Sequence, residues 1–399
     1  MFDLQTFAVK VLCFLCVINS TSFVINSLIL LFSFGIMAKE DGKECWEQRL
    51  KVLHGHFGGQ EIFVDRNEAS GSLKNRTASL DHKNKNSLKT LGDQIPVFEP
   101  GRLLLNRRII LTGAGSGIGY AAAILFACHG ANLVLCDLDE EKLQATVDFI
   151  RNSSGTDHRQ WLREETSGAF YRAPKGLPQC VAIAGDVTDP DYVKKVIELA
   201  VESFGGIDDI ILNAGFTWDG TAHKMSEEQW SAMLDVHLTA PFMMIKYAAP
   251  YMRGAAKMEI ESEGFARPRS ILTVSSVSGM HGNAGQANYA SAKAGVVGLT
   301  KAIAKEWGPF NIRANSLVFG HFKTRLTQEK SKGATIKFRG NDIQLGIPVQ
   351  GLGGIISNMT ALQRPGLPEE AAGAMLMLTS PYSSYITGQA VEVTGGGWM

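Results

Sequence analysis

Short apolar runs alternate with helical stretches along most of this chain, and this alternation constrains the fold more than any other feature. The apolar runs are RRIILTG, ANLVLCD, CVAIAGDV, IDDIILNAG, SILTVSS, IRANSLVFG and AVEVTGG. The helical stretches between them begin with YAAAILFACHG and DEEKLQATVDFIRN. Strands that are apolar along their whole length are buried on both faces, which is typical of a parallel sheet covered by helices. The alternation therefore predicts an α/β fold with a single doubly wound parallel sheet.

The first hundred residues have a different character. Residues 11–37 carry no charge and are long enough to span a bilayer, although Asn, Ser and Thr residues interrupt them between positions 19 and 27. Three alternatives stay open for residues 1–37: a membrane anchor, a cleaved signal, or a non-native extension with Met37 as the working start. Residues 38–101 are predicted to be a polar, largely disordered linker, because the Asn-, Ser- and Lys-rich stretch 65–95 cannot bury enough surface to fold alone.

Charge and cysteine usage exclude several classes of protein. With 39 basic and 39 acidic residues, the chain has no net charge and gives no reason to expect a nucleic-acid partner. Cys128, Cys136 and Cys180 lie in apolar stretches, and the C-x-x-C of Cys13 and Cys16 has no partner pair, so we expect neither a disulfide framework nor a metal site. A reducing compartment follows, so we expect a cytoplasmic catalytic domain, with membrane anchoring through residues 11–37 left open.

A glycine-rich turn, TGAGSGIG, joins the first apolar run to the first helical stretch. Glycines at 113, 117 and 119, with an extra one at 115, would let the backbone approach a pyrophosphate at the helix N-terminus. Asp137 ends the second run, where its carboxylate can bind both adenosine ribose hydroxyls and repel a 2′-phosphate. No Arg or Lys stands in the turn, where Ser116 sits, or directly after Asp137. We therefore predict NAD, with NADP the less favoured cofactor.

Further motifs extend the pattern: GDV ends the third run, NAG ends the fourth, and Ser276 stands thirteen residues before Tyr289. From about residue 104 to its end the chain resembles the short-chain dehydrogenase/reductase family, and within it the beta-ketoacyl–acyl carrier protein reductase group most. The resemblance implies a Rossmann-like catalytic domain over residues 102–399. The cofactor-binding residues implied by the turn, by Asp137 and by the resemblance are Thr112, Gly113, Gly115, Ser116, Gly117, Ile118, Gly119, Asp137, Asp186, Val187, Asn213, Ala214, Gly215, Tyr289, Lys293, Gly320 and Thr324.

The run QANYASAKAG places Tyr289 and Lys293 one helical turn apart. The family resemblance assigns Tyr289 as general acid and base, Lys293 as its partner and Ser276 as the anchor of the substrate carbonyl. The chemistry agrees, because a free phenol with a pKa of about 10 exchanges its proton poorly at neutral pH. A fixed ammonium beside it is expected to stabilise the phenolate and to lower that pKa.

The chain departs from the family pattern at two positions near this site. His237, in LDVHLTAPF, stands where the family has an Asn whose main-chain carbonyl holds a water that joins the lysine to solvent. We predict that the relay is retained and count His237 as a fourth catalytic residue; the alternative is that it only packs or caps a helix bend. Phe319-Gly320 replaces the usual Pro-Gly, whereas Thr324 keeps the position of a carboxamide contact.

Three further segments complete the expectations. Residues 153–179 and 254–268 look inserted and are predicted to be surface loops. Residues 323–360 combine glycines with apolar side chains, which suits a mobile lid over an apolar carbonyl or alcohol substrate. The helix containing AGVVGLTKAIA has apolar residues on more than one face, and family members commonly form oligomers, so we expect a homo-oligomer.

These observations predict an oxidoreductase that transfers a hydride between a nicotinamide cofactor and a secondary alcohol or ketone. A β-hydroxyacyl or β-ketoacyl thioester is the first substrate to consider. The alternative function is a catalytically weak nicotinamide-binding redox sensor or scaffold, which the replacements at His237 and Phe319 would favour.

Overall fold

A computed structural model describes residues 102–152, 180–347 and 360–398. The predicted apolar segment, the predicted linker and the predicted insertion at 153–179 all lie outside the described residues. Among the helices that are described, none is long and apolar enough to cross a membrane.

The described strands form a seven-stranded sheet and a separate two-stranded hairpin. Their bounds are β1 Arg108–Thr112, β2 Asn132–Asp137, β3 Cys180–Ala184, β4 Asp209–Leu212, β5 Arg269–Ser276, β6 Ile312–Phe319, β7 Thr335–Phe338, β8 Asn341–Gln344 and β9 Ala390–Val393. The large sheet has the order β3-β2-β1-β4-β5-β6-β9, and every pairing in it is parallel. The predicted doubly wound parallel sheet is confirmed.

The order of the strands reverses beside β1. The chain runs outward from β1 through β2 to β3 and then crosses back, so that β4 pairs with the other side of β1. In sheets of this kind, ligands bind at the carboxyl ends of the strands beside such a reversal. The candidate site is therefore expected where β1 and β4 end.

Nine α-helices are described. They are α1 Gly117–Cys128, α2 Glu140–Asn152, α3 Pro190–Phe204, α4 Glu227–Leu234, α5 Ala240–Ala249, α6 Ala255–Glu263, α7 Val277–His281, α8 Ala287–Trp307 and α9 Pro368–Thr379. Side chains alternate between the two faces of each strand, so Ile109 and Leu111 pack into one core with α1, α2 and α9. Ile110, between them, packs into a second core with α3, α5 and α8.

Local signals in the sequence account for the ends of several helices. The Asp189 side chain accepts a hydrogen bond from the Asp191 N–H, at 2.9 Å, and Pro190 occupies the first turn of α3. Gly205 ends the same helix with φ of 75°, a conformation that favours glycine. Ser226 and Gln229 form a capping box at the start of α4.

The helical run from Glu227 to Glu263 is interrupted by two five-residue π-helical turns, Asp235–Thr239 and Pro250–Gly254. The prediction that residues 254–268 form a surface loop was wrong for most of that segment, because Ala255–Glu263 is helical. The reason is visible in its composition, since Ala, Lys, Met and Glu are strong helix formers. The Glu259 carboxylate also anchors this helix to the sheet by a bidentate ion pair with the buried Arg269, at 2.6 and 2.9 Å.

The segment predicted as a mobile apolar lid contains the antiparallel hairpin of β7 and β8. Phe338, Ile343 and Leu345 are buried there against Phe216 and Met233 in a third, smaller core cluster. These apolar side chains therefore stabilise a packed hairpin, and the rest of the apolar stretch, residues 348–359, lies outside the described residues.

We predict that Gly119→Ala strongly destabilises the domain. A Cβ at position 119 would overlap the Gly113 carbonyl oxygen, and neither backbone can move without disturbing the turn. The free energy of unfolding in urea should fall by about 3 kcal/mol, at the upper end of overpacking effects. Gly373→Ala is the matched control: this glycine is exposed on α9 with no atom within 4 Å of the added Cβ, so stability should rise by about 0.5–1 kcal/mol. Equal effects of the two substitutions would contradict the tight turn.

Candidate active site

The glycine-rich turn connects β1 to the start of α1. Gly113 and Gly117 have φ of 71° and 56°, in the left-handed region that favours glycine. A Cβ on Gly113 would lie 2.8 Å from the Ala214 Cα, so the turn packs directly on the end of β4. The turn thus presents bare backbone at the N-terminus of a helix, which is an arrangement that binds phosphate groups.

The Asp137 carboxylate lies beside this turn at the end of β2. One of its oxygens accepts a hydrogen bond from the Gly115 N–H at 2.7 Å, and the other accepts one from the Asp139 N–H at 3.1 Å. Each carboxylate oxygen has a second lone pair with which it can accept a further hydrogen bond. The carboxylate is therefore fixed in place and still able to bind a sugar hydroxyl.

Two backbone N–H groups of the NAG turn converge on one buried hydroxyl. The Thr112 Oγ1 accepts hydrogen bonds from the N–H groups of Asn213 and Ala214, each at 3.0 Å. The Asn213 side chain in turn donates to the carbonyl oxygens of Thr112 and Gly113, at 3.1 and 3.2 Å. The side chains of Thr112 and Asn213 thus hold the two turns together. Within the predicted cofactor site, these two side chains stabilise the backbone.

The remaining predicted cofactor residues lie on the segments that follow β1, β3 and β6. The Asp186 carboxylate accepts hydrogen bonds from the backbone and hydroxyl of Thr188, each at 2.8 Å. Gly320 continues β6, with its N–H donating to the Val393 carbonyl oxygen at 3.1 Å. The side chain of Thr324 lies against Gly117, in van der Waals contact with a Cβ placed there. Ile118 and Val187 are partly buried and pack against the two large core clusters.

Ser276, Tyr289 and Lys293 come together where β5 ends and α8 begins. The Lys293 Nζ lies 5.5 Å from the centre of the Tyr289 ring and donates a hydrogen bond to the Val274 carbonyl oxygen at 2.7 Å. The Ser276 Oγ accepts from the Ser278 N–H at 3.2 Å, and the Ser276 side chain also forms a hydrogen bond with Tyr289. The structure thus assembles the three side chains that sequence spacing singled out.

Burial dominates the protonation of this group. It raises the pKa of Tyr289 to about 12, and the hydrogen bond with Ser276 opposes the rise, while the charge of Asp219 adds to it. Burial lowers the pKa of Lys293 to about 7. From the sequence we expected Lys293 to lower the Tyr289 pKa, but in the structure the influence that lowers it comes from Ser276. The Lys293 Nζ donates its hydrogen bond to a backbone carbonyl oxygen. Because burial lowers the Lys293 pKa, only part of the lysine population is protonated at neutral pH.

His237 lies in the first π-helical turn, directly against the catalytic tyrosine candidate. Its ring stands edge-on to the Tyr289 ring, with the centres 5.0 Å apart at 90°. The His237 Nε2 lies 2.7 Å from the Phe216 carbonyl oxygen, while Nδ1 has no hydrogen-bond partner among the described residues. Burial, followed by the positive charge of Lys293, holds the His237 pKa well below its usual range. The neutral imidazole therefore donates from Nε2 and keeps Nδ1 as an acceptor.

Sequence reasoning missed a polar network on the other side of Tyr289. The Gln286 side chain donates to the Asp219 carboxylate at 3.1 Å and accepts from the Ser278 hydroxyl at 2.9 Å. Burial raises the Asp219 pKa. A signal for this network was present, because Gln286 opens the run that contains Tyr289 and Lys293.

The cysteine and metal expectations concern the wider domain. Cys128, Cys136 and Cys180 are free and buried, as the apolar stretches around them predicted, whereas Cys13 and Cys16 lie outside the described residues. Across residues 102–152, 180–347 and 360–398, no group of three or more His, Cys, Asp or Glu side chains could hold a metal ion.

Comparison with known sequences identifies the family. Residues 107–161 match the family described as short chain dehydrogenase, and residues 160–397 match the one described as Enoyl-(Acyl carrier protein) reductase. The 3-oxoacyl-[acyl-carrier-protein] reductase FabG of Thermotoga maritima is 35% identical over 291 residues, which cover 72% of this chain and 96% of that protein. This chain belongs to the short-chain dehydrogenase/reductase family. The resemblance stated from the motifs is confirmed.

Further relatives of this chain support the same family assignment. The (3R)-3-hydroxyacyl-CoA dehydrogenase of Rattus norvegicus is 33% identical, over 73% of this chain and 95% of its own length. Among solved structures, a short-chain dehydrogenase/reductase described as glucose/ribitol dehydrogenase from Brucella melitensis superposes with a TM-score of 0.57. It is 29% identical and covers 74% of this chain and 98% of its own. The chain is thus an oxidoreductase of the class that acts on CH–OH and keto groups.

The residues present fit the nicotinamide dinucleotide that this family binds. A side chain at Gly119 would overlap the turn, a side chain at Gly113 would crowd β4, and Asp137 is held beside the exposed backbone. Ser276 ends β5 of the same sheet, and Tyr289 and Lys293 come together with it from α8. The crevice can therefore hold the phosphates at α1 and a reacting carbon near Tyr289.

We predict that Lys293 makes stability depend on pH in a way that Lys293→Met removes. Because burial lowers its pKa from 10.5 to about 7, the folded protein binds fewer protons than the unfolded chain between these values. The free energy of unfolding should therefore rise with pH across this window, relative to Lys293→Met, by at least about 1 kcal/mol from about pH 7 to about pH 10. Urea denaturation measures it. Lys301→Met, at an exposed position of the same helix, keeps Lys293 and should therefore keep the wild-type rise. The same dependence on pH in Lys293→Met and Lys301→Met would contradict the assignment.

Proposed function

We propose that this chain is an NAD-dependent reductase and dehydrogenase that interconverts β-ketoacyl and β-hydroxyacyl thioesters. The observation that carries the proposal is the assembly of Ser276, Tyr289 and Lys293 at the end of the sheet where the phosphate-binding turn also lies. The relatives that are 33–35% identical along nearly their whole length are named for 3-oxoacyl and 3-hydroxyacyl substrates, which supports the same substrate class here.

The proposed roles follow from the contacts of each side chain. The bound nicotinamide would supply or accept the hydride, and the protein residues manage the proton at the substrate oxygen. Ser276 would donate a hydrogen bond to that oxygen and hold it near the phenol, which positions the reacting atoms and stabilises developing charge. Tyr289 would give its proton to the oxygen during reduction and take it back during oxidation. Lys293, with a pKa of about 7, is suited to exchange a proton at neutral pH.

The preference for NAD rests on Asp137. Its carboxylate is fixed beside the turn by two backbone N–H groups, in a position suited to bind ribose hydroxyls and repel a 2′-phosphate. Lys142 also lies next to Gly115, but its ammonium is paired with Asp139, so this charge is already compensated.

The preference for an apolar substrate rests on the surroundings of Tyr289. Trp218, Leu326 and Ile336 pack against the same small core cluster as Tyr289, so this part of the domain is apolar. An acyl chain can bury its surface there, whereas a sugar would leave hydroxyl groups without partners. We also propose that residues 102–399 form the catalytic domain and that it assembles as a homo-oligomer.

A catalytically weak redox sensor remains the second candidate, because His237 replaces the Asn usual in the family. Titration with NADH and NADPH, followed by turnover on a β-ketoacyl thioester and on a panel of ketones and alcohols, separates the two functions. NADH-preferring turnover supports the reductase. Tight NADH binding without turnover on any member of the panel would favour the sensor.

We predict that Tyr289→Phe lowers kcat for acetoacetyl-CoA reduction by about 1000-fold, within the usual range for loss of a general acid. The NADH dissociation constant should change by less than about threefold, because the ring and its packing are kept. NADH absorbance measures turnover, and calorimetry measures binding. Tyr382→Phe makes the same chemical change at an exposed position and should leave both values unchanged. A Tyr289→Phe protein that keeps most of its turnover would refute the role of the phenol.

We predict that His237→Asn lowers kcat modestly, by about two- to fivefold, and also lowers stability. The imidazole fills the space between Gly215 and the Tyr289 ring, and a smaller side chain would leave a cavity there. The rate and the free energy of unfolding should be measured together. A rise in kcat of tenfold or more would instead show that the present site is impaired by the histidine.

A further inference from the structure

A basic side chain reaches the glycine-rich turn from a distant part of the chain. The Arg325 guanidinium donates a hydrogen bond to the Ser116 Oγ at 2.6 Å, although 209 positions separate the two residues. Its neighbour Thr324 lies against Gly117, so the backbone that carries Arg325 passes close to the turn. Ser116 immediately precedes α1, which places the guanidinium at the N-terminus of that helix.

The segment that carries Arg325 is held in place by its own hydrogen bonds. The Lys323 N–H donates to the Gly366 carbonyl oxygen at 2.8 Å, on one side of the arginine. On the other side, the Gln328 N–H donates to the Thr324 carbonyl oxygen at 3.1 Å, which closes one helical turn. Arg325 is partly buried in this turn. It is therefore a fixed part of the crevice.

Among the described residues, no acid forms an ion pair with Arg325. Within the part of the chain that the structure describes, no carboxylate lies within ion-pair distance of it, and nearby Asp139 is paired with Lys142. A guanidinium has five N–H donors in a planar fork that matches phosphate oxygens. Since Ser116 is its hydrogen-bond partner through one nitrogen, further donors can bind an anion beside the turn.

We propose that Arg325 binds the pyrophosphate of the dinucleotide cofactor and so clamps it from the segment that follows β6. Ser116 stands at the helix N-terminus, where exposed N–H groups favour the binding of a phosphate group. A 2′-phosphate is the less suitable ligand, because the Asp137 carboxylate is fixed at Gly115 on the side expected for the adenosine ribose. This inference rests on the proposed binding of a nicotinamide dinucleotide and adds the positive charge that the turn itself lacks.

The test compares ligands that contain or lack parts of the cofactor. Calorimetry on the full chain would measure dissociation constants of NADH, NADPH and ADP-ribose for the wild type, Arg325→Ala, Arg325→Gln and Lys323→Ala. Arg325→Ala should weaken all three ligands by the same factor, about tenfold, because all contain the pyrophosphate. Lys323→Ala removes an exposed positive charge two residues away and should change binding by less than about twofold.

Arg325→Gln keeps an N–H donor for Ser116 but removes the charge, so it should stay folded even if Arg325→Ala does not, and should show the same loss of affinity. Unfolding temperatures without ligand monitor this. Unchanged affinities, a loss confined to NADPH, or a loss for NADH that spares ADP-ribose would each overturn the inference. A wild type that binds neither dinucleotide would overturn it together with the proposed function. Dinucleotide binding without turnover would contradict only the proposed function.

Discussion

The site depends on one buried hydroxyl. Thr112 ends β1, and its Oγ1 accepts the N–H groups of Asn213 and Ala214 at the point where β4 ends. Main-chain hydrogen bonds in a parallel sheet cannot continue once neighbouring strands separate into their turns, so the N–H groups there need other acceptors. The threonine meets this need and locks the two turns at the strand-order reversal. The glycine turn, the helix N-terminus and the floor of the crevice are all positioned by that contact.

Burial away from water is the second constraint on the site, and it shifts the pKa values of three side chains. Burial raises the Tyr289 pKa, lowers the Lys293 pKa and keeps the His237 imidazole neutral. The charged forms of all three are disfavoured by the same loss of water. Ser276, through its hydrogen bond to Tyr289, works against that trend and lowers the Tyr289 pKa. Because electrostatic interactions are stronger in a buried site, a charge or hydrogen bond supplied by a ligand should shift the pKa values of these three side chains strongly.

The sequence predicted what depends on short-range pattern and missed what depends on long-range approach. The strands, the glycine turn and the pair formed by Tyr289 and Lys293 follow from spacing along the chain. The helix Ala255–Glu263 was wrongly predicted to be a loop, because an insertion relative to the family does not determine secondary structure, whereas the Ala-, Lys-, Met- and Glu-rich composition favours a helix. The hairpin of β7 and β8 could not be predicted from local pattern, because its apolar residues pack on distant Phe216 and Met233. The contact of Arg325 with Ser116 joins positions 209 residues apart, and no local pattern connects them.

His237 shows how one replacement becomes compatible with its surroundings. The helical run widens into a π turn at this residue, and Gly215 has no side chain to compete with the imidazole, since a Cβ there would overlap the ring. The ring then reaches the Phe216 carbonyl through Nε2 and lies edge-on against Tyr289. Because a T-shaped contact fixes the plane of its partner, the histidine can orient the phenol without changing charge. We therefore propose that His237 positions Tyr289, and Nδ1, which has no hydrogen-bond partner among the described residues, is the ring atom that could accept a proton in the predicted relay.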